Sequence, residues 1–255
     1  MDDTRKSLLK DDEIELLLND LHSTYGYDFR DYARASLKRR INHQVQADHI
    51  PSFAELIFRL RTDAGYAHRF ADGITVNVTE MFRDPGFYRI LRENVLPVLA
   101  TRPFIRIWHA GCASGEEVYS MAILLKEANL LRRSLLYATD LSPSALEKVK
   151  KGIFPLRTIK QYSENYIESG GREDFSNYYA ARYDYAKFDE SLKERMIIST
   201  HNLVSDASFN EFQLILCRNV FIYFERVLQE KVLKPLPRPT VYKHCTNAPV
   251  YYKAG

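Results

Sequence analysis

The sequence predicts an α/β protein: a parallel sheet covered by helices, preceded by a small all-α domain. Three observations carry this expectation. Helical periodicity runs through residues 1 to about 70. Beyond Thr75, short apolar runs alternate with helical stretches, the pattern of a parallel sheet. One of those runs, Ile105-Arg106-Ile107-Trp108, ends in a glycine turn, His109-Ala110-Gly111-Cys112-Ala113-Ser114-Gly115, from which a helix starts.

The elements follow in order. Ile14, Leu17, Leu18 and Leu21 recur at spacings of three and four, and Asp11 or Asp12 is placed to cap that helix. After the turn at Tyr25-Gly26-Tyr27-Asp28, Ala33, Leu37, Ile41 and Val45 step by four along one face. Arg30, Arg34 and Lys38 step by four along another, with Arg39 beside them, so this amphipathic helix carries a basic stripe. Pro51-Ser52 opens a third helix holding Phe53, Leu56, Ile57 and Leu60. Past the glycine turn, a helix from Glu116 carries Tyr119, Ile123 and Leu124. A second strand, Leu135 to Thr139, ends at Asp140, and Ser142 is placed to cap the next helix, with Ala145, Leu146 and Val149. Met196-Ile197-Ile198 and Phe212 to Cys217 read as further strands. Tyr162, Tyr166, Tyr178, Tyr179, Tyr183 and Tyr185 crowd one segment interrupted by Gly170-Gly171. It reads as an insert of antiparallel strands, where aromatics pair well across strands, or as a loop packed on the sheet by its rings.

Composition narrows the class. With 45% hydrophobic and 27% charged residues, the chain can bury an ordinary globular core. A net charge of +3 is too small to imply a nucleic-acid partner, and no basic-aromatic platform appears. No apolar run approaches the roughly 18 residues that span a bilayer, and the acidic opening Met1-Asp2-Asp3 lacks a signal core. Cys112, Cys217 and Cys245 are odd in number and far apart, which indicates neither a disulfide framework nor a zinc site. The expected compartment is the cytoplasm, and the expected state is a monomer without a metal.

The glycine turn carries the chemistry. A tight turn between strand and helix brings backbone N–H groups close to a ligand. The pattern Gly111-x-x-x-Gly115 lacks the third glycine of the dinucleotide fingerprint, which weakens a nicotinamide reading. Glu116 and Glu117 sit at the helix N-terminus, where two carboxylates repel a pyrophosphate but welcome an ammonium. That favours S-adenosylmethionine over a dinucleotide, although acidic residues there also simply complement the helix dipole. Asp140, past the second strand, stands where an acidic residue accepts ribose hydroxyls, or caps the helix that follows.

Several motifs together are more specific. They are Asn77-Val78-Thr79-Glu80-Met81-Phe82-Arg83-Asp84, Ala113-Ser114-Gly115-Glu116-Glu117-Val118-Tyr119-Ser120, Ala138-Thr139-Asp140, Asn202-Leu203, and Leu216-Cys217-Arg218-Asn219-Val220-Phe221-Ile222-Tyr223-Phe224. In this order and spacing they resemble the chemotaxis receptor (protein-glutamate) O-methyltransferase family, the CheR family, over about residues 10 to 233. The resemblance implies a Rossmann-like, S-adenosylmethionine-dependent methyltransferase domain with a small antiparallel β-subdomain, behind a helical N-terminal domain. It places the helical domain at 1–72, a linker contributing to the cofactor site at 73–84, and the methyltransferase domain at 85–255, with the β-subdomain at about 160–192.

The resemblance also implies roles. Asn77, Thr79 and Arg83 resemble linker residues that close over the cofactor, with Gly111 in its turn. Glu117 resembles the ligand of its amino group, Asp140 that of its ribose, and Asn202 and Leu203 its adenine-side contacts. Arg218, Asn219 and Tyr223 fall where the family lines the cofactor and substrate pocket. Arg83 and Tyr223 are the catalytic candidates; Tyr223 also reads as a core aromatic beside Phe221 and Phe224. The implied partner is the helical bundle of a chemoreceptor's cytoplasmic part, whose acidic surface the stripe of Arg30, Arg34, Lys38 and Arg39 would steer. A solvated helix face explains such a stripe equally well.

The implied activity is methyl transfer to receptor glutamates for chemotactic adaptation. Its alternatives are a catalytically impaired adaptor and a methyltransferase for another protein. The adaptor reading rests on residues 234–255. There the chain departs from the family: Pro235, Pro237 and Pro239 cannot continue a helix, and the final strand pair is not recognisable. Thr240 to Tyr242 and Pro249 to Tyr252 are the available short strands.

Overall fold

The computed structural model of the chain describes residues 9–29, 32–75, 79–203, 206, 210–221, 229, 240–242 and 250–252. The chain divides into two compact units, residues 1–77 with 222–231 and residues 78–221 with 232–255.

The first unit is helical. α1 (Asp11–Tyr25) starts at Lys10, whose backbone N–H donates to Glu13 Oε2 at 2.8 Å, so Asp11 and Asp12 lie in the first turn and do not cap it. There they complement the helix dipole. Gly26 ends the helix in the left-handed conformation. Ile14, Leu17, Leu18 and Leu21 form the buried stripe, as their spacing predicts. α2 (Arg34–Ala47) buries Leu37 and Ile41. α3 (Phe53–Thr62) is capped by Ser52 and α4 (Ala64–Ile74) by Asp63, each side chain accepting a backbone N–H of the first turn.

The second unit opens with a helix in three pieces: α5 (Pro85–Ile90), a π turn at Leu91–Val95, and α6 (Leu96–Ala100). The π turn precedes Pro97, which lacks the N–H that an α-helix would use. Then come β1 (Ile105–Ala110), α7 (Glu116–Glu127), β2 (Ser134–Asp140), α8 (Pro143–Lys151), β3 (Ile153–Pro155) and α9 (Leu156–Glu168). β4 (Tyr179–Arg182), β5 (Tyr185–Phe188), β6 (Met196–Thr200), β7 (Leu214–Leu216), β8 (Thr240–Tyr242) and β9 (Val250–Tyr252) follow.

The main sheet has the order β6-β2-β1-β7-β9-β8. β6, β2, β1 and β7 run parallel; β9 lies antiparallel to β7 and to β8. Both segments left open by the sequence are therefore strands. The chain finishes its sheet with a three-residue pair, too short for alternation to announce it. The order places β2 on one side of β1 and β7 on the other, and the crevice beyond the carboxyl ends of such neighbours is where open α/β sheets bind ligands. β1 is buried almost throughout, as a central strand covered on both faces must be.

A second sheet, β3-β5-β4, is antiparallel. It begins at Ile153, upstream of the tyrosine-rich segment. Tyr162 and Tyr166 of that segment lie on α9, facing the core, instead of on strands. Their spacing of four is the helical signal that tyrosine density concealed. Tyr179 and Tyr185 are on the strands, and Tyr183 sits in the turn between β4 and β5. Among the described residues no helix is long and apolar enough to cross a membrane.

Candidate cofactor site

The loop after β1 is tied to the end of β2. The N–H groups of Gly111 and Cys112 both donate to the Thr139 carbonyl at 2.9 Å. Gly111 has φ +76°, and a Cβ there would stand 2.5 Å from Val220 Cγ2, so only glycine fits. Asp140 holds the next part of the turn. Its Oδ2 accepts the N–H of Ala113 at 2.8 Å, and its Oδ1 accepts that of Ser142 at 2.9 Å. Ser142, not Asp140, caps α8, accepting from the Ala145 N–H at 3.1 Å.

Glu116 and Glu117, adjacent in sequence, have opposite environments. Glu116 turns towards α9, where its carboxylate accepts from Ser114 Oγ at 2.8 Å and Tyr162 OH at 3.3 Å. Burial pushes its pKa up. Glu117 faces a cationic group. Its Oε1 lies 2.9 Å from His109 Nδ1, and its Oε2 3.4 Å from an Arg218 guanidinium nitrogen. Burial alone would raise the Glu117 pKa, but His109 and Arg218 together outweigh it and hold the carboxyl below its ordinary value. The expectation that both carboxylates greet one ammonium thus divides: Glu117 joins the cluster and Glu116 packs against Tyr162.

Arg218, just past β7, is the hub. Its side chain is only 3% exposed, and its guanidinium reaches Asp84 Oδ2 at 2.7 Å and the Arg83 carbonyl at 2.9 Å. It lies over the Phe87 ring at 4.2 Å. Burial would lower its pKa, but the surrounding anions outweigh that and keep it charged. Its Nε is buried without a hydrogen-bond partner among the described residues. Burial also pushes up both thiols nearby, Cys112 and Cys217, so neither is a ready nucleophile.

The backbone here is strained. Phe82, Asp84, Ala113 and Asn219 all adopt positive φ, between 47° and 58°. Phe82 is the least expected, since a bulky side chain rarely tolerates that region. Its N–H donates to Ser120 Oγ at 2.9 Å, and its ring packs against Tyr88 and Tyr166, which hold it in place. Such strain concentrates where the surroundings overdetermine a functional geometry.

The remaining sequence candidates are placed as follows. Thr79 and Arg83 are half-buried in the stretch leading to α5. Asn202 and Leu203 are half-buried just past β6; the Asn202 N–H donates to Asp206 Oδ2 at 2.8 Å, while His201 ties this loop to the Asp140 carbonyl. Asn219 follows Arg218 directly. On α2, Arg34 pairs with Glu15 and Lys38 with Asp11, both at 2.5 Å, so two of the stripe's charges have partners on α1; Arg39 is exposed. Asn77, Tyr223 and Arg30 lie outside the described residues. Sequence reasoning missed His109 and gave Asp84 no role. His109 is only the strand residue before the turn, eight positions from Glu117, and no periodicity links the two.

The donor set has a definite chemistry. A largely enclosed, ionised carboxylate suits an ammonium, a buried guanidinium suits a carboxylate, and a strand-end aspartate suits a ribose diol. A parallel sheet with a glycine turn after its first strand and this set around it defines a nucleoside-cofactor-binding α/β domain. The sequence profile of the CheR methyltransferase SAM-binding domain matches residues 77–240, and that of the CheR all-alpha domain matches residues 12–75. The chain belongs to the CheR methyltransferase family. It is 44% identical to the Pseudomonas putida protein Cher3 over 223 residues, 88% of this chain and 82% of that protein. It is 32% identical to a chemotaxis protein methyltransferase of Listeria monocytogenes over 201 residues, 78% of this chain and 74% of the relative. With the chemotaxis protein methyltransferase of Salmonella typhimurium the identity is 26% over 246 residues, 92% of this chain and 83% of the relative.

Proposed function

We propose that this protein transfers the methyl group of S-adenosylmethionine to glutamate side chains of a chemoreceptor's cytoplasmic helical bundle, forming methyl esters for chemotactic adaptation. The observation that carries this reading is the Glu117 carboxylate, 15% exposed and held ionised between His109 and Arg218 beside the glycine turn. Bound S-adenosylmethionine supplies a methyl group on a sulfonium, open to in-line displacement. Glu117 would hold its ammonium, Gly111 and the turn its backbone, Asp140 its ribose, and Asn202 and Leu203 its adenine side. Asn77, Thr79 and Arg83 would close the site, and Arg218 and Asn219 would line it.

A substrate glutamate is ionised at neutral pH, so its carboxylate needs no general base. The chain's part is to orient that carboxylate and keep water out, through Arg83 and Tyr223. The domain boundaries 1–72, 73–84 and 85–255 belong to this reading, with the small sheet's first strand at Ile153. Arg30, Arg34, Lys38 and Arg39 would steer an acidic bundle; Arg34 and Lys38 keep about 41% and 39% of their side chains exposed despite their partners. The names of the Listeria and Salmonella relatives support a chemotactic substrate. The hairpin of β8 and β9 supports a working enzyme over an impaired adaptor, because the sheet does not end at β7.

The test is incubation with methyl-labelled S-adenosylmethionine and a chemoreceptor cytoplasmic fragment, scoring methanol released by alkali. Alkali-labile label on the fragment, lost when its methylatable glutamates are replaced by alanine, is the expected result. Cofactor binding without transfer to any receptor fragment would leave the adaptor reading in its place.

A further inference from the structure

We propose that His109 is a positioning residue for Glu117, fixing its carboxylate to receive the amino group of the cofactor; this rests on the reading of Glu117 given above. His109 lies in β1 between Ala138 of β2 and Leu216 of β7, and its side chain is completely buried. A strand position of that kind ordinarily takes valine or isoleucine. Here an imidazole points one nitrogen at Glu117 and leaves the other, Nε2, without a partner among the described residues. A half-satisfied buried ring is costly, so its retention calls for a reason.

The geometry provides one. Of the two groups on the Glu117 carboxylate, His109 makes the shorter contact, 2.9 Å against 3.4 Å for Arg218. The Arg218 guanidinium is also shared with Asp84 and the Arg83 carbonyl, so it serves Glu117 only in part. A carboxylate is acceptor-only, so Nδ1 carries the proton in this contact. A single ring N–H donor, held rigidly in β1, fixes the orientation of Glu117. A lysine or second arginine at that position would cancel the charge that an ammonium needs.

The experiment is calorimetric titration of the full chain with two probes, S-adenosylhomocysteine and 5′-methylthioadenosine. They share the nucleoside and the thioether, and only the first has the amino and carboxylate groups. His109→Leu removes the donor at similar volume, His109→Asn keeps a donor near the Nδ1 position, and Glu117→Gln removes the charge. The expected result is a loss of roughly tenfold to a hundredfold in homocysteine-conjugate affinity for His109→Leu, the worth of a hydrogen bond to a charged group. Methylthioadenosine should stay within about twofold, and His109→Asn should recover most of the loss. Equal weakening of both probes, or no weakening of either, overturns the proposal. If Glu117→Gln discriminates between the probes and His109→Leu does not, the reading of Glu117 stands and the proposal for His109 falls. If Glu117→Gln does not discriminate, or wild type binds neither probe, both fall. Should His109→Leu not fold, His109→Gln places its amide near Nε2 instead, and the contrast between the Asn and Gln variants decides.

Discussion

The carboxylate of Asp140 accepts the backbone N–H of Ala113 at 2.8 Å, clamping the glycine turn after β1 to the end of β2. Its other oxygen accepts from Ser142, so one side chain orders both sides of the crevice. Replacing Asp140 with alanine therefore acts on the fold as well as on any ribose. Hydrogen bonds to a charged acceptor contribute about 1.5–3 kcal/mol each, and water can replace part of that at this half-buried position. We expect Asp140→Ala to lower stability by about 2 kcal/mol in urea unfolding and to weaken S-adenosylhomocysteine binding as well. Weaker binding with unchanged stability would mean that the clamp is idle and Asp140 acts on ligand alone.

Gly111 tests the turn from its other end. A methyl group there meets Val220 Cγ2 at 2.5 Å, on a backbone with φ +76°. The left-handed conformation alone costs a non-glycine residue about 1–2 kcal/mol, and the overlap adds to it. Gly111→Ala should destabilise by more than that first figure, and adding Val220→Ala should recover the overlap but not the backbone part. Full recovery in the double variant, read by thermal unfolding, would show that backbone conformation is not limiting here.

What the sequence announced and what it withheld differ for physical reasons. α1 was legible because Ile14, Leu17, Leu18 and Leu21 make an unbroken stripe, and β1 with its turn because glycine at positive φ is hard to replace. The terminal strands β8 and β9 were not, because three residues cannot establish a period of two. Asp140 was legible as a strand-end acid but not as a clamp, since its acceptors' partners are backbone groups that every residue carries. His109 was silent for a different reason. Its partner is the second residue of α7, eight positions on across the glycine turn, and only the folded turn brings them together. Tyr162 and Tyr166 were assigned to the wrong element because composition, tyrosine density, was weighed above spacing.

Tyr166 has a further consequence. With Tyr178 it donates to Glu127, which also pairs with Arg92, so one buried carboxylate on α7 joins the π turn, α9 and the approach to β4. The Arg92 and Glu127 side chains are 12% and 7% exposed. Removing one partner of such a pair strands the other, which costs about 3–5 kcal/mol. Glu127→Ala should fall in that range by chemical denaturation, while Tyr178→Phe, which deletes one donor and leaves the ion pair, should cost less, about 1.5–2 kcal/mol. Similar losses for both variants would mean that the ion pair adds little beyond its hydrogen bonds.

Glu116 and Glu117 should titrate against each other in their effects on stability. Burial holds the Glu116 carboxyl above its ordinary value, so the folded state keeps that proton more tightly than the unfolded chain does. Its contribution is fully present below the ordinary glutamate range and is lost as pH rises through the raised value. Glutamine imitates the protonated form. Glu116→Gln should therefore gain on wild type as pH is raised from about 4 to about 8. Glu117 has the opposite sign: held down by His109 and Arg218, it contributes above the ordinary range and loses that contribution as pH falls through the lowered value. Glu117→Gln should lose ground to wild type only at the acidic end of that rise, below about pH 5. Melting temperatures of the three proteins across that interval decide the matter, and slopes of the same sign for both variants would refute the division of these neighbouring carboxylates between core and site.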